Sequence, residues 1–289
     1  MGWIARRKLA AAVCNAGGLG IIETSSGEIE NCIEEIKAMP KLTDQPFGVN
    51  LPLMFLADDR MVNIVADAGV KFVTTSAGDP SKYIQILKDA NITVFHAVPS
   101  LKGALKAVDA GVDGLVVEGT EGGGFKASEE VGLHVLIQSI KKHTDIPIVA
   151  AGGIVDGRGM AAAFAAGAEG IQMGTRFVSS LESPVHNNYK NKIIESSEEG
   201  TFILNKKGRP CIRALKSNLT EEIYEKGVMD MSALGGIKNL YFEGDMEAAP
   251  ALAGQSIGLI DEVKPVKNII EETIAEFNAT CDAMLKAKL

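Results

Sequence analysis

One pattern governs the first 180 residues. A short, β-branched, apolar run ends in Gly, Ser, Asn or Thr, and a helical stretch follows it. The runs are 18–24, 47–53, 72–77, 93–99, 114–120, 147–153 and 170–177. Successive starts lie roughly 20 to 33 residues apart, the spacing of a βα unit repeated in one parallel sheet. The runs are apolar on both faces, as strands covered on both sides must be. Between them, Ile29, Ile33 and Ile36 recur at helical spacing, as do Tyr83, Ile84 and Leu87, and Leu133, Leu136, Ile137 and Ile140. The pairs Ala68-Gly69, Ala110-Gly111 and Ala166-Gly167 supply left-handed helix ends before the next strand.

Seven strands are an odd number for such a chain, because a closed barrel of this type has eight. The expectation is an α/β (β/α)8 TIM barrel whose first strand is missing from this sequence, with Met1–Ile4 as the tail of a βα loop. After about residue 180 the rhythm changes. Ser183-Pro184 reads as a helix start, with Pro in the first turn. Residues 200–216 read as polar and irregular, 218–249 as more helical, and 262–288 as one long closing helix. The expected organisation is a βα barrel over 1–199, a helical appendage over 200–260 and a closing helix over 261–289 that packs on the barrel.

Composition excludes several classes. The net charge is −8, from 29 Lys and Arg against 37 Asp and Glu, and no basic run offsets it. Nucleic-acid binding through phosphate neutralisation is not expected. No apolar stretch reaches the roughly 18 residues of a membrane span. The N-terminal ARRKLAAAVC imitates a signal peptide, but its apolar run of about six residues falls short of the roughly 7–15 required. It reads as an amphipathic helix. The four cysteines share no C-x-x-C spacing, which indicates free thiols, no metal site and a cytoplasmic setting.

Barrel enzymes carry their chemistry where strands end. The strongest signal is residues 147–177, where one strand ends at Gly152-Gly153 and the next at Gly174-Thr175. Two such turns present backbone N–H groups to an anion, as the last βα loops of this fold often do for phosphate. Glu118 opens the glycine-rich stretch that runs through Gly122, Gly123 and Gly124, a place for a flat ligand against backbone or for a flexible lid. Asn50 ends its strand with an amide able to bond a heterocycle, or to cap the turn. Thr74, Thr75 and Ser76 could line the pocket or make an ordinary turn. His96 alternates with Val94 and Val98 and reads as a packed barrel residue. His134 reads as a helix-surface residue, His143 as a helix end and His186 as part of a first helical turn. No two histidines have metal-ligand spacing, and no Ser/His/Asp constellation exists.

The motifs GGLGIIET, FGVNLPL, TTSAG, VEGTEGGG, IVAAGGI and QMGTRF occur in this order, with AGQSIGLI further on. So ordered, they resemble the nitronate monooxygenase (2-nitropropane dioxygenase) family over most of the chain. The related flavin-dependent enoyl-[acyl carrier protein] reductases share most of them. The resemblance implies FMN, bound non-covalently at the C-terminal mouth of a TIM barrel. Asn50, Glu118 and Gly123 match flavin-contacting positions, the second often Gln in the family. Gly153 and the run Gln172, Met173, Gly174 and Thr175 match the phosphate-binding elements. Of the family's first strand-end turn, usually Gln-Gly-Gly-Met-like, only Met1-Gly2-Trp3 is present. The family's glycine loop usually ends in Gly-Gly-His, the proposed proton-transfer residue. Here that position is Phe125, followed by Lys126.

The missing histidine discriminates between reactions. A neutral nitroalkane must lose its α-proton before oxidation, whereas a nitronate is already deprotonated. The expected activity is FMN-dependent oxidation of alkyl nitronates with molecular oxygen, on a small-molecule substrate. Phe125 would shape the substrate pocket. The alternatives are an NAD(P)H-dependent enoyl-acyl carrier protein reductase, with water or Lys126 delivering the proton, and a non-catalytic phosphate- or flavin-binding barrel. Exposed barrel helices could form a homodimer, although no sequence feature specifies one.

Overall fold

The structure, a computed structural model, describes residues 1–56 and 59–287. The chain opens with α1 (Arg7–Asn15), which buries Leu9, Ala10, Ala11 and Cys14 and is the expected amphipathic helix. Seven strands then lie side by side in chain order: β1 (Ile21–Glu23), β2 (Gly48–Pro52), β3 (Phe72–Ser76), β4 (Thr93–Val98), β5 (Gly114–Glu118), and, after the short β6 (Gly124–Phe125), β7 (Ile148–Ala151) and β8 (Gly170–Gln172). All seven pair in parallel. The helices between them are α2 (Ile29–Ala38), α3 (Arg60–Asp67), α4 (Ser81–Asp89), α5 (Leu101–Asp109), α6 (Leu133–Lys141) and α7 (Gly157–Ala165). Each of these seven strands falls inside its expected run, and Gly69, Gly111 and Gly167 end their helices at positive φ.

The sheet is curled, with β1 and β8 as its edges, and β1 and β8 do not pair with each other among the described residues. Met1–Ile4 lie at the mouth between these edges. The Trp3 N–H donates to Glu23 Oε1 at 3.0 Å, and a Cβ built on Gly174 would lie 3.9 Å from the Met1 sulfur.

Alternation along the strands sorts side chains between two cores. Val49, Leu51, Val73 and Val94 join the first helices in one buried cluster, and Val98, Leu115, Val117, Ile148 and Ala150 join the later helices in another. The opposite parity, Phe72, Phe95, Ala97, Val116, Val149 and Ala151, forms a small cluster inside the curl. The strand period of two therefore assigns every strand-end side chain to the outer layer or to the barrel interior.

Beyond β8 the structure corrects several expectations. The run 170–177 is a strand only to Gln172, and Thr175–Val178 (α8) is a helical turn. The next helix, α9, spans Asn187–Ile194 and starts later than Ser183-Pro184. His186 stays extended, held by its N–H on Tyr241 O at 2.6 Å, and its Nδ1 accepts from Asn188 N, so it is the N-cap and not a first-turn residue.

Residues 200–216 are not irregular. They form a hairpin, β9 (Thr201–Leu204) and β10 (Ile212–Leu215), and β6 adds to its free edge. Leu204, Ile212 and Ala214 bury against Ile223 of α10 (Asn218–Lys226), which burial makes the hairpin worth forming. α10 is fixed at its start by a capping box between Ser217 and Thr220. The closing helix α11 (Val266–Lys286) starts after the extended Pro265, four residues later than expected; Lys288 lies outside the described residues. It packs on α7 through Phe164 and Phe277, whose ring centres are 5.2 Å apart, and Glu276 accepts from Gly157 N at 3.0 Å. Among the described residues no helix is long and apolar enough to cross a membrane, and no group of acidic, His and Cys side chains could hold a metal ion.

Candidate active site

Parity places Glu23, Asn50, Thr74, Glu118 and Gln172 on the barrel's inner face, above the apolar floor of Phe72, Phe95, Val116 and Val149. Register keeps them level. Glu23, Asn50 and Thr74 are side-by-side partners on β1, β2 and β3, and Glu118, Ala151 and Gln172 are partners on β5, β7 and β8. The mouth is thus a polar rim on an apolar plug.

Asn50 Nδ2 donates to Thr74 Oγ1 at 3.0 Å and Thr74 O at 3.2 Å, with Ser76 Oγ at 3.4 Å. Its donors are used in tying β2 to β3, and its side-chain carbonyl oxygen has no partner among the described residues. Glu23 is a site residue that sequence reasoning missed. It is 1% exposed and accepts from Trp3 N, Ser25 N, Ser25 Oγ and Ser26 N, and it pairs with Arg6 at 3.0 Å. The available signal was a carboxylate ending an otherwise apolar strand.

Thr75 and His96 belong to the other parity, so Thr75 does not line the mouth with Thr74. Its Oγ1 lies 2.8 Å from His96 Nδ1 in the layer between sheet and helices. Burial pushes the His96 pKa down to about 4, so the imidazole is neutral near pH 7 and faces no substrate. His134 lies on the exposed side of α6, and His143 Nδ1 sits 2.9 Å from Ser139 O at that helix's end.

The glycine-rich loop is pinned. Gly119 N donates to Ala151 O at 3.0 Å, and Glu121 accepts from Leu133 N with both carboxylate oxygens at 3.1 Å, anchoring the start of α6. Gln255 N donates to Glu121 O at 2.8 Å. Arg213, from β10, donates from Nε to Thr120 O at 3.0 Å and from Nη1 to Thr201 Oγ1 at 2.9 Å. A Cβ on Gly123 would stand 2.5 Å from the Ala253 carbonyl carbon and 2.7 Å from Gly254 N, so only glycine lets this loop meet that segment. Gly254 N in turn donates to Thr175 Oγ1 at 2.9 Å. Arg213 and Ala253-Gly254 were not singled out as site residues; an arginine within the apolar IRAL was the visible sign of the first.

The two glycine turns come together beneath this loop. Gly152 and Gly153 have φ of +93° and +77°. A Cβ on Gly152 would lie 2.9 Å from Gly122 N. Gly174 caps the turn Thr175–Val178, and the N–H groups of Gly153 and Thr175 have no protein acceptor among the described residues. Met173 packs between the two large apolar clusters, and Gln172 is exposed at its strand end.

Phe125 projects from β6, nearly half exposed, with its ring centre 6.0 Å from that of Phe55. Lys126 turns the other way. Its side chain is 4% exposed, its ammonium pairs with Glu118 Oε1, and Gly119 O is 3.4 Å away.

The family model described as nitronate monooxygenase matches residues 1–59 and 53–276. The chain belongs to the nitronate monooxygenase family. A probable nitronate monooxygenase of Staphylococcus saprophyticus is 30% identical over 68% of this chain and 68% of its own length. A 5-hydroxy-7a-methyl-1-oxo-octahydro-1H-indene-4-carboxyl-CoA dehydrogenase of Rhodococcus jostii is 29% identical, covering 98% of this chain and 92% of that protein. Among solved structures, FabK from Thermotoga maritima is 40% identical over the whole chain and 94% of its own, with a TM-score of 0.94. The chain is an oxidoreductase of this family, as the motifs implied.

The mouth fits a flavin phosphate. The N–H groups of Gly153 and Thr175, without an acceptor among the described residues, meet the requirement of an anion for donors, and the positive φ of Gly152 and Gly153, where a Cβ would press on Gly122 and Glu121, suits glycine at both turns. The Asn50 carbonyl oxygen and the Glu118 carboxylate stand on the rim as hydrogen-bond acceptors.

Proposed function

We propose that this protein oxidises alkyl nitronates with molecular oxygen, using FMN held in the barrel mouth. Gly153, Gln172, Met173, Gly174 and Thr175 form the phosphate end of the site, and Asn50, Glu118 and Gly123 the ring end. When bound, FMN supplies the electron-accepting chemistry and the subsequent reactivity towards oxygen.

The observation that carries the reading is the absence of a free proton carrier where the family has its histidine. Phe125 cannot move a proton. Lys126 beside it is buried and held by Glu118. His96 faces the opposite layer. A substrate that arrives deprotonated needs none of these. The chain's own contribution is then to orient the substrate over an apolar floor and to exclude water with Phe55 and Phe125. Oxygen uptake is expected with ethylnitronate or 2-propylnitronate and to be at least tenfold slower with the corresponding neutral nitroalkane. Equal rates on both forms would refute the reading.

A second reading, reduction of an enoyl thioester by NADH or NADPH, is favoured by the full-length likeness to FabK, an enoyl-acyl carrier protein reductase. It demands a proton for the carbon next to the hydride acceptor, which here only water could deliver. Crotonyl-thioester turnover with a nicotinamide distinguishes it.

A further inference from the structure

Two carboxylates face the barrel mouth, and each brings its own cation. Glu23 is paired with Arg6. Glu118 is paired with Lys126, eight residues on, across the glycine loop. Gly122 lies over that pair, since a Cβ there would stand 2.7 Å from both Glu118 Oε1 and Lys126 Nζ. Beside the pair is a cavity of about 10 Å³ lined by Pro99, Glu118, Thr120, Lys126 and Glu130, with room for about one water. With its side chain 4% exposed and its ammonium on Glu118, Lys126 is placed to act on the mouth through that carboxylate. Of the other charged groups around this loop, Glu121 accepts from Leu133 N, Glu130 pairs with Lys206, and Arg213 of β10 donates to Thr120 O and Thr201 Oγ1, while Glu129 is exposed.

A lone carboxylate on the rim would repel an anionic substrate in a site of low dielectric. We propose that Lys126 is a positioning residue that neutralises and holds Glu118, so that the mouth admits small planar anions of the nitronate class. This inference rests on the nitronate reading. Loss of the ammonium raises the concentration of anion needed to fill the site and leaves turnover of the filled site nearly untouched.

The test compares wild type, Lys126→Met, and the double variant Glu118→Gln with Lys126→Met, each purified with flavin. Two quantities are read: the dissociation constant of nitrate, an inert planar anion, by calorimetry, and KM and kcat for ethylnitronate. Lys126→Met is expected to weaken nitrate and raise KM about tenfold, with kcat within about twofold. The double variant, with no charge at either position, is expected to recover most of the lost nitrate affinity. A merely structural role predicts no such rescue. Equal weakening in both variants, an unchanged Lys126→Met, or no nitrate binding by the wild type would overturn the proposal. If the wild type turns over no nitronate but nitrate follows the expected order, the activity reading falls and the charge role of Lys126 stands.

Discussion

Thr75–His96 and Glu118–Lys126 are two polar pairs anchored on one curled sheet, the second reaching from β5 to the residue after β6, and they differ in the face to which Thr75 and His96, or Glu118, point. Thr75 and His96 lie on the outer parity, among helices. Their 2.8 Å bond satisfies two polar groups that would otherwise be orphaned in an apolar layer. Glu118 lies on the inner parity at the level of Ala151 and Gln172, where a ligand would sit. Both pairs are largely removed from water, and both contain a titratable group near a strand end. Burial alone therefore does not tell the two pairs apart; the side of the sheet they face does.

The largest effect is expected at the scaffold that carries the inner pair. Gly123→Val would drive a side chain into the backbone of Ala253-Gly254 and unseat the loop that carries Glu118 and Phe125. The expected result is loss of bound flavin and at least a hundredfold drop in activity, read from absorbance and oxygen uptake. Retention of flavin with full activity would show that the loop does not need its seat.

The outer pair makes a pH prediction. The His96 pKa is held down to about 4, against about 6.5 when unfolded. Between those values the unfolded chain binds a proton that the folded chain refuses, so stability is fully present above the unfolded pKa and is lost as pH falls towards the folded one. The loss approaches roughly 3 kcal/mol, taking about 1.4 kcal/mol per pKa unit. Urea melts at a series of pH values should show this slope, and His96→Gln should flatten it. An unchanged slope in the variant would assign the acid sensitivity to other groups.

Phe125→His sharpens the inner-face account. It restores a proton carrier at the rim and is expected to raise turnover of neutral nitroalkanes about tenfold, with less change for nitronates. No gain would mean that position 125 does not reach the substrate carbon. The smallest effect is that of Thr75→Val, which leaves His96 Nδ1 without its partner. It should cost about 1–2 kcal/mol of stability and leave nitronate kinetics unaltered, as the outer layer requires.

The seven strands and their helices are legible in the sequence because each run is short, apolar on both faces and ended by a turn residue. Local pattern suffices for a βα unit. The candidate rim residues Asn50 and Glu118 are legible for the same reason, as polar residues closing such runs. The hairpin Thr201–Leu204 and Ile212–Leu215 is not, because its strands are four residues long and their polar connection dominates the local composition. Its third strand, Gly124–Phe125, arrives from more than seventy residues upstream. Arg213 and Gly254 hold the loop through contacts of equally long range. The start of the helix Asn187–Ile194 is set by His186 N–H on Tyr241 O, which no local window contains. The pairing of Lys126 with Glu118 depends on how the four glycines between them turn.

If this protein oxidises nitronates, a nitronate alone should reduce its flavin. The most direct measurement follows the flavin absorbance of the purified protein without oxygen, first with NADH or NADPH and then with ethylnitronate. Bleaching by the nitronate but by neither nicotinamide is the predicted result. Rapid bleaching by a nicotinamide, with none by the nitronate, would contradict it and make the enoyl-thioester reductase the better account.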